Sequence, residues 1–147
     1  MAMTFRSATL NDCPILAELN HQLLEDEGHR NRFMQLPHLE ERMRRWLSAQ
    51  YRAVLFEDNG EIVAYALYRE EQDENYLRQL FVARDRRRHG LGRQAVEILR
   101  SKIWPTGKRL TVDVLVGNTG AIAFWRSVGY QDYCLALEIL PDKPASA

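Results

Sequence analysis

Apolar residues recur along the chain with two alternating periods, near 3.6 and near 2, and the switches between them mark out the elements. Residues 4–8 read as a short strand. Thr9 and Asp12 have the spacing of a capping box, and Ile15, Leu16, Leu19 and Leu23 continue at helical spacing up to Gly28, a residue suited to stopping a helix. Residues 30–36 keep no period and read as a loop. Pro37 fits a first helical turn, and Leu39, Met43, Trp46 and Leu47 form the stripe of a second helix. Strands over 53–56 and 62–68 flank Asp58-Asn59-Gly60, and Asn-Gly between apolar runs predicts a tight hairpin. Residues 76–83 form the next strand, which empties into a basic loop.

Beyond that loop, Leu91, Ala95, Val96, Ile98 and Leu99 mark a helix ending near Trp104-Pro105. Residues 110–116 form a β-branched strand and 118–128 a short helix stopped by Gly129. Residues 130–140 read as a last strand, and 141–147 as a flexible tail. The predicted order is β-α-α-β-β-β-α-β-α-β. It describes an α/β fold: one domain over residues 1–147, with a central mixed, mostly antiparallel sheet of about six to seven strands and helices on both faces.

Composition narrows the class. A chain of 147 residues can bury roughly 70% of its unfolded surface in one domain. With 46% apolar and 27% charged residues, it is not disordered. The formal net charge is zero, which argues against a nucleic-acid partner; the basic charge is local, in Arg84, Arg86, Arg87, Arg88 and His89. Cys13 and Cys134 show neither a CxxC nor a metal spacing, so we expect buried free thiols, no metal and a cytoplasmic protein. No apolar run is long enough for a membrane span, and the first residues do not read as a signal peptide.

The chemistry concentrates in the strand–loop–helix segment around Arg87. Gly90 and Gly92 let backbone N–H groups approach an oxyanion without a Cβ in the way, and the helix behind adds free donors and partial positive charge. The flanking arginines suit a ligand with further phosphate. The acidic run Glu25-Asp26-Glu27 opposes the dipole at its helix C-terminus and suggests an acidic rim for a cationic ligand, with a solvated face as the plain alternative. His21, Glu25 and His29 share an i, i+4, i+8 spacing, but no fourth ligand is evident.

The Arg87-x-x-Gly90-x-Gly92 turn and the segment Asn118-x-x-Ala121-x-x-Phe124-Trp125-x-x-x-Gly129-Tyr130, in this order and on these junctions, resemble the GNAT superfamily of N-acetyltransferases. The resemblance covers nearly the whole chain. It implies acetyl-CoA as co-substrate and acyl transfer to a primary amine of a small molecule or peptide, by direct attack in a ternary complex. It implies that Arg87, Arg88, His89, Gly90, Leu91, Gly92 and Arg93 hold the pyrophosphate. Leu80, Phe81 and Val82 would pair with the pantetheine as a strand edge, and Asn118, Ala121, Phe124 and Trp125 would line the cofactor arm. The Val82 amide would stabilise the oxyanion. Where the family most often has tyrosine this chain has Trp125, whose indole does not ionise usefully. Water, or another tyrosine such as Tyr130 or Tyr133, would then protonate the thiolate. Glu25 or His21 would take the proton of the amine, and Tyr65, Tyr68, Tyr76 and Gln79 sit on the central strands where acceptor-facing side chains would lie, with half-buried sheet packing as the plain alternative. The alternatives are an acyl-CoA-binding regulatory module with little catalysis, for which Trp125 speaks, and a nucleotide-binding domain, weakened by the lack of a P-loop Lys-Ser/Thr and of Rossmann glycine spacing. An exposed last strand would also permit a homodimer.

Overall fold

A computed structural model of the chain describes residues 3–142. The elements run β1 (Thr4–Ser7), α1 (Cys13–Glu27), α2 (Leu36–Ser48), β2 (Tyr51–Asp58), β3 (Glu61–Glu70), β4 (Glu74–Val82), α3 (Leu91–Ile98), β5 (Arg109–Val112) and α4 (Thr119–Ser127). Local chemistry sets most boundaries. The Thr9 and Asp12 capping box forms, and Gly28 ends α1 in the left-handed region at φ 61°. Asn59 and Gly60 both have positive φ, 52° and 79°, which is the turn geometry that matches the twist of the β2–β3 hairpin.

The sheet has five strands in the order β1-β2-β3-β4-β5, antiparallel except for the parallel β4–β5 pair. Both faces are covered. On one, Leu16 of α1 and Met43 of α2 pack on Leu55, Tyr65, Leu67 and Phe81. On the other, Ala95 and Leu99 from the α3 segment pack on Val54, Phe56, Ala64, Ala66 and Leu77. A wide turn over Leu99–Ile103 closes α3 and brings Trp104 edge-on to Tyr68, with ring centroids 5.6 Å apart.

Three expectations are corrected. Among the described residues there are five strands, not six to seven, because residues 130–140 form none. The apolar alternation that predicts a strand is present, but it reports only a capacity to pair, and Tyr133, Leu135, Leu137 and Ile139 all face solvent with no adjacent strand. Cys134 lies on this segment and is exposed, whereas Cys13 is buried as expected. β5 is also shorter than predicted. Its ladder ends at Leu77–Val112, one residue before β4 bulges at Arg78, and residues 113–116 leave the sheet. Of the predicted tail, residues 143–147 lie outside the described residues.

Candidate active site

Where β5 departs, β4 keeps a neighbour on one side only. Arg78–Val82 pair with β3 but present an open edge opposite, and that edge carries Leu80, Phe81 and Val82. Below it the chain turns through the basic loop into α3. Arg88 and Gly90 both adopt left-handed φ, 67° and 75°, giving a concave run of backbone. Among the described residues, the amides of residues 87–93 donate to no backbone acceptor, and the first bond of this turn is Gln94 N–H to the Gly90 carbonyl at 3.0 Å. The result is a set of free donors at a helix N-terminus, directly after an open strand edge.

The loop arginines divide into two groups. Arg84 donates to Asp26 at 2.7 Å, and Arg87 donates to Asp26 at 2.5 Å and to the Val82 carbonyl at 2.9 Å. Arg86 bridges Asp58 and Glu61 across the β2–β3 turn. These three clasp the loop to the body of the protein. Burial raises the Asp26 carboxyl, but hydrogen bonds from Arg87 and Arg84 outweigh it and hold it below its ordinary value. Arg88 and His89 are exposed, form no side-chain hydrogen bond or ion pair among the described residues, and face the solvent beside the open amides.

The second motif packs against the first. Asn118 caps α4 by accepting from the Ala121 amide at 3.1 Å. Phe124 lies over Gly92, where an added Cβ would stand 3.2 Å from the ring. Arg93 reaches the Ser127 carbonyl and hydroxyl, tying α3 to α4. Trp125 packs against the α3-side core between Phe124 and Tyr130, with ring centroids at 5.0 and 5.3 Å. The Tyr130 hydroxyl is buried without a hydrogen-bond partner among the described residues, and burial pushes its pKa up to about 12. Tyr133 is exposed under the Arg109 guanidinium.

On the opposite face, the bulge in β4 sends two consecutive polar side chains toward α1 and α2. Arg78 stacks on Trp46 and donates to the Tyr51 hydroxyl, and Gln79 accepts from the Tyr65 hydroxyl at 2.8 Å. Simple alternation does not predict this pair. Tyr68 instead lies on the α3 face, and Tyr76 donates to Asp113 at 2.7 Å.

The acidic run at the end of α1 is divided. Glu25 is exposed, 3.2 Å from His21 and 3.5 Å from Arg84, and Asp26 holds the loop arginines. Glu27 is half-buried and has no ion-pair or hydrogen-bond partner among the described residues; burial, then the neighbouring Asp26 charge, raises its pKa. Its charge is felt at Tyr65, the cross-strand partner of Phe81. Sequence reasoning singled out Glu25 and passed over Glu27; only the tertiary pairing tells them apart. His29 lies beyond the helix, its Nδ1 accepting from the Asn31 amide, so His21, Glu25 and His29 do not share a helix face.

Residues 18–130 match the model of the acetyltransferase (GNAT) family, and the chain belongs to that family. No curated protein sequence matches it. Among solved structures, an acetyltransferase from Thermus thermophilus is 24% identical, with 89% of this chain and 88% of that one covered and a TM-score of 0.74. An aminoglycoside N-acetyltransferase in complex with CoA is 14% identical, with 95% of each chain covered and a TM-score of 0.75. A ribosomal-protein-alanine N-acetyltransferase from Brucella melitensis is 13% identical, covering 95% and 99%, with a TM-score of 0.73. At these identities the likeness is one of fold. Among the described residues no helix is long and apolar enough to cross a membrane.

Proposed function

We propose that the chain is an acetyl-CoA-dependent N-acetyltransferase that transfers the acetyl group to a primary amine by direct attack in a ternary complex. The observation that carries this reading is the run of unengaged amides over residues 87–93 immediately after the open β4 edge. A diphosphate suits the first, and an extended amide-bearing arm suits the second.

In this reading the amides of residues 87–93 hold the pyrophosphate, and Arg88 and His89 add charge at its rim. Leu80–Val82 pair with the pantetheine, and Asn118, Ala121, Phe124 and Trp125 back the arm. The acetyl carbonyl meets the Val82 amide, which stabilises the developing oxyanion. An alkylammonium with a pKa of about 10.4 is almost wholly protonated at neutral pH, so the acceptor has to lose a proton before attack. Glu27 takes it: an unpaired carboxylate of raised pKa is a better match to that proton than the salt-bridged Glu25. The amine nitrogen then bonds to the carbonyl carbon, the C–S bond breaks, and the thiolate leaves. Tyr130, a protonated phenol packed on Trp125 with a buried hydroxyl that has no partner among the described residues, protonates that thiolate. Trp125 supplies packing alone.

A thermal-shift comparison tests the donor. Acetyl-CoA should raise Tm in a concentration-dependent way, and ATP and NAD at equal concentration should not. Equal shifts with all three would refute the assignment. An acyl-CoA-binding module without turnover would pass this test but fail the turnover assay described in the Discussion.

A further inference from the structure

The face of β4 that looks toward α1 and α2 carries positive charge that no carboxylate answers. Arg42 of α2 and Arg78 of β4 both stand over the Trp46 ring, their guanidinium carbons 4.5 and 4.7 Å from its centroid. Trp46 in turn meets Tyr51, with ring centroids 5.6 Å apart. Other arginines are paired: Arg69 holds Glu71 at 2.6 Å, and the loop arginines hold Asp26, Asp58 and Glu61. Arg42 Nη2 donates to Asn20 Oδ1 at 3.0 Å, but its Nη1 meets only the Met34 sulfur at 3.8 Å, a weak acceptor. Arg78 donates to the Tyr51 hydroxyl at 3.1 Å, and its other donors have no partner among the described residues.

Two like charges on one indole repel each other, and half-burial keeps from Arg42 part of the water that would screen them. Burial, then the Arg78 charge, lower the Arg42 pKa, although a guanidinium stays charged at neutral pH. The field extends to His29, whose pKa is lowered by burial and then by Arg30, Arg42 and Arg78. Glu27, half-buried and without an ion-pair partner among the described residues, shares this face. The Tyr65 hydroxyl, which donates to Gln79, feels the charges of both Glu27 and Arg42. One face of the sheet thus holds a proton acceptor and, near it, an unanswered pair of cations.

We infer that the acceptor amine carries an oxyanion group, a carboxylate or a phosphate, which Arg42 and Arg78 bind over Trp46 while Glu27 takes the proton of the amine. The inference rests on the acetyl-transfer reading above and names the class of acceptor within it. An oxyanion accepts charge-assisted hydrogen bonds from both guanidiniums and offsets their repulsion. The Trp46 and Tyr51 rings already hold the guanidiniums in place, so binding has little left to order. Arg78 lies four positions before Val82 in β4, about 13 Å along an extended strand. Tyr51 pairs with Arg69 and Arg69 with Tyr76, so the hydroxyl that Arg78 contacts lies on the side away from Val82. The oxyanion therefore sits several bonds from the amine. An amine with further ammonium groups would bring like charge to Arg42 and Arg78, so the site selects against polycations.

Three ligands of equal length test this: ε-aminocaproate, its carboxamide and the corresponding aminoalkyl phosphonate. Calorimetric titration of the wild-type protein needs no turnover. At least one anion should bind about 10–100-fold tighter than the carboxamide, and the tighter of the two identifies the oxyanion. Its binding should raise the His29 pKa in an NMR titration, because the anion cancels the field of Arg42 and Arg78. Arg78→Gln should erase the preference and Arg78→Lys should restore part of it. In turnover the preference should lie in KM and not in kcat. Anions that bind no better than the carboxamide would overturn the inference, as would a preference that survives Arg42→Gln with Arg78→Gln. Anion binding without thiol release would uphold the oxyanion site and count against the acetyl-transfer reading instead. The wild-type comparison decides the matter even if the variants do not fold.

Discussion

The position a Cβ would take at Gly92 lies 3.2 Å from Cε1 and Cζ of Phe124 and 3.8 Å from Cγ2 of Val82. The cradle, the second motif and the strand edge therefore meet at one atom's breadth. Gly92→Ala makes the Phe124 ring give by a few tenths of an ångström, and acetyl-CoA affinity should fall with it. Phe124→Leu should recover part of that loss, with a coupling of roughly 0.5–3 kcal/mol for residues in contact. Calorimetric titration of both single variants and the double variant checks this; strict additivity would show that the contact does not shape the cradle.

Gly90 has left-handed φ but open space around its Cβ position. Gly90→Glu should cost the fold only about 1–2 kcal/mol, yet place a carboxylate among amides that face a diphosphate. Acetyl-CoA binding should vanish while urea unfolding remains cooperative. Unaltered affinity would remove the pyrophosphate from this loop.

Glu27 links stability and turnover with opposite signs. Its folded pKa is raised above the ordinary 4.5, so the fold disfavours the ionised form. That penalty is absent below about 4.5 and grows as pH rises through the folded pKa. Glu27→Gln should thus be more stable than the parent above this window and no more stable below it. The same variant should lose about 10²–10⁴-fold in kcat, with acetyl-CoA affinity unchanged and the acidic limb of the pH–rate profile gone. Urea midpoints across pH, together with kcat profiles, check both halves; a profile that keeps its acidic limb would assign the base elsewhere.

Trp125 and Tyr130 are in edge-to-face contact at 5.3 Å, but only the phenol can give up a proton. Trp125→Phe should leave kcat nearly unchanged, and Tyr130→Phe should lower it by about 10²-fold or more, with the KM for acetyl-CoA held in both. A hundredfold loss in the tryptophan variant would reverse the roles.

What the sequence made legible was local. Asn59-Gly60, Gly28 and the Arg87–Gly92 turn were readable because each position demands a backbone conformation or a close approach that few residues allow. Three features depend on partners distant in sequence and could not be read that way. The bulge at Arg78 appears only once β3 fixes the register, and it is what turns Arg78 and Gln79 to the same face. The split of the acidic run arises because Asp26 meets arginines some sixty positions later in the chain. The final strand was legible as a pattern, but pairing belongs to two strands, and residues 130–140 meet no adjacent strand among the described residues.

Release of free CoA thiol from acetyl-CoA over a panel of primary amines tests the central claim most directly. Direct transfer predicts thiol release that requires both substrates, equals the acetylated amine formed, and collapses in Glu27→Gln although that variant still binds acetyl-CoA. Tight binding of acetyl-CoA with no amine-dependent thiol release across the panel would contradict it.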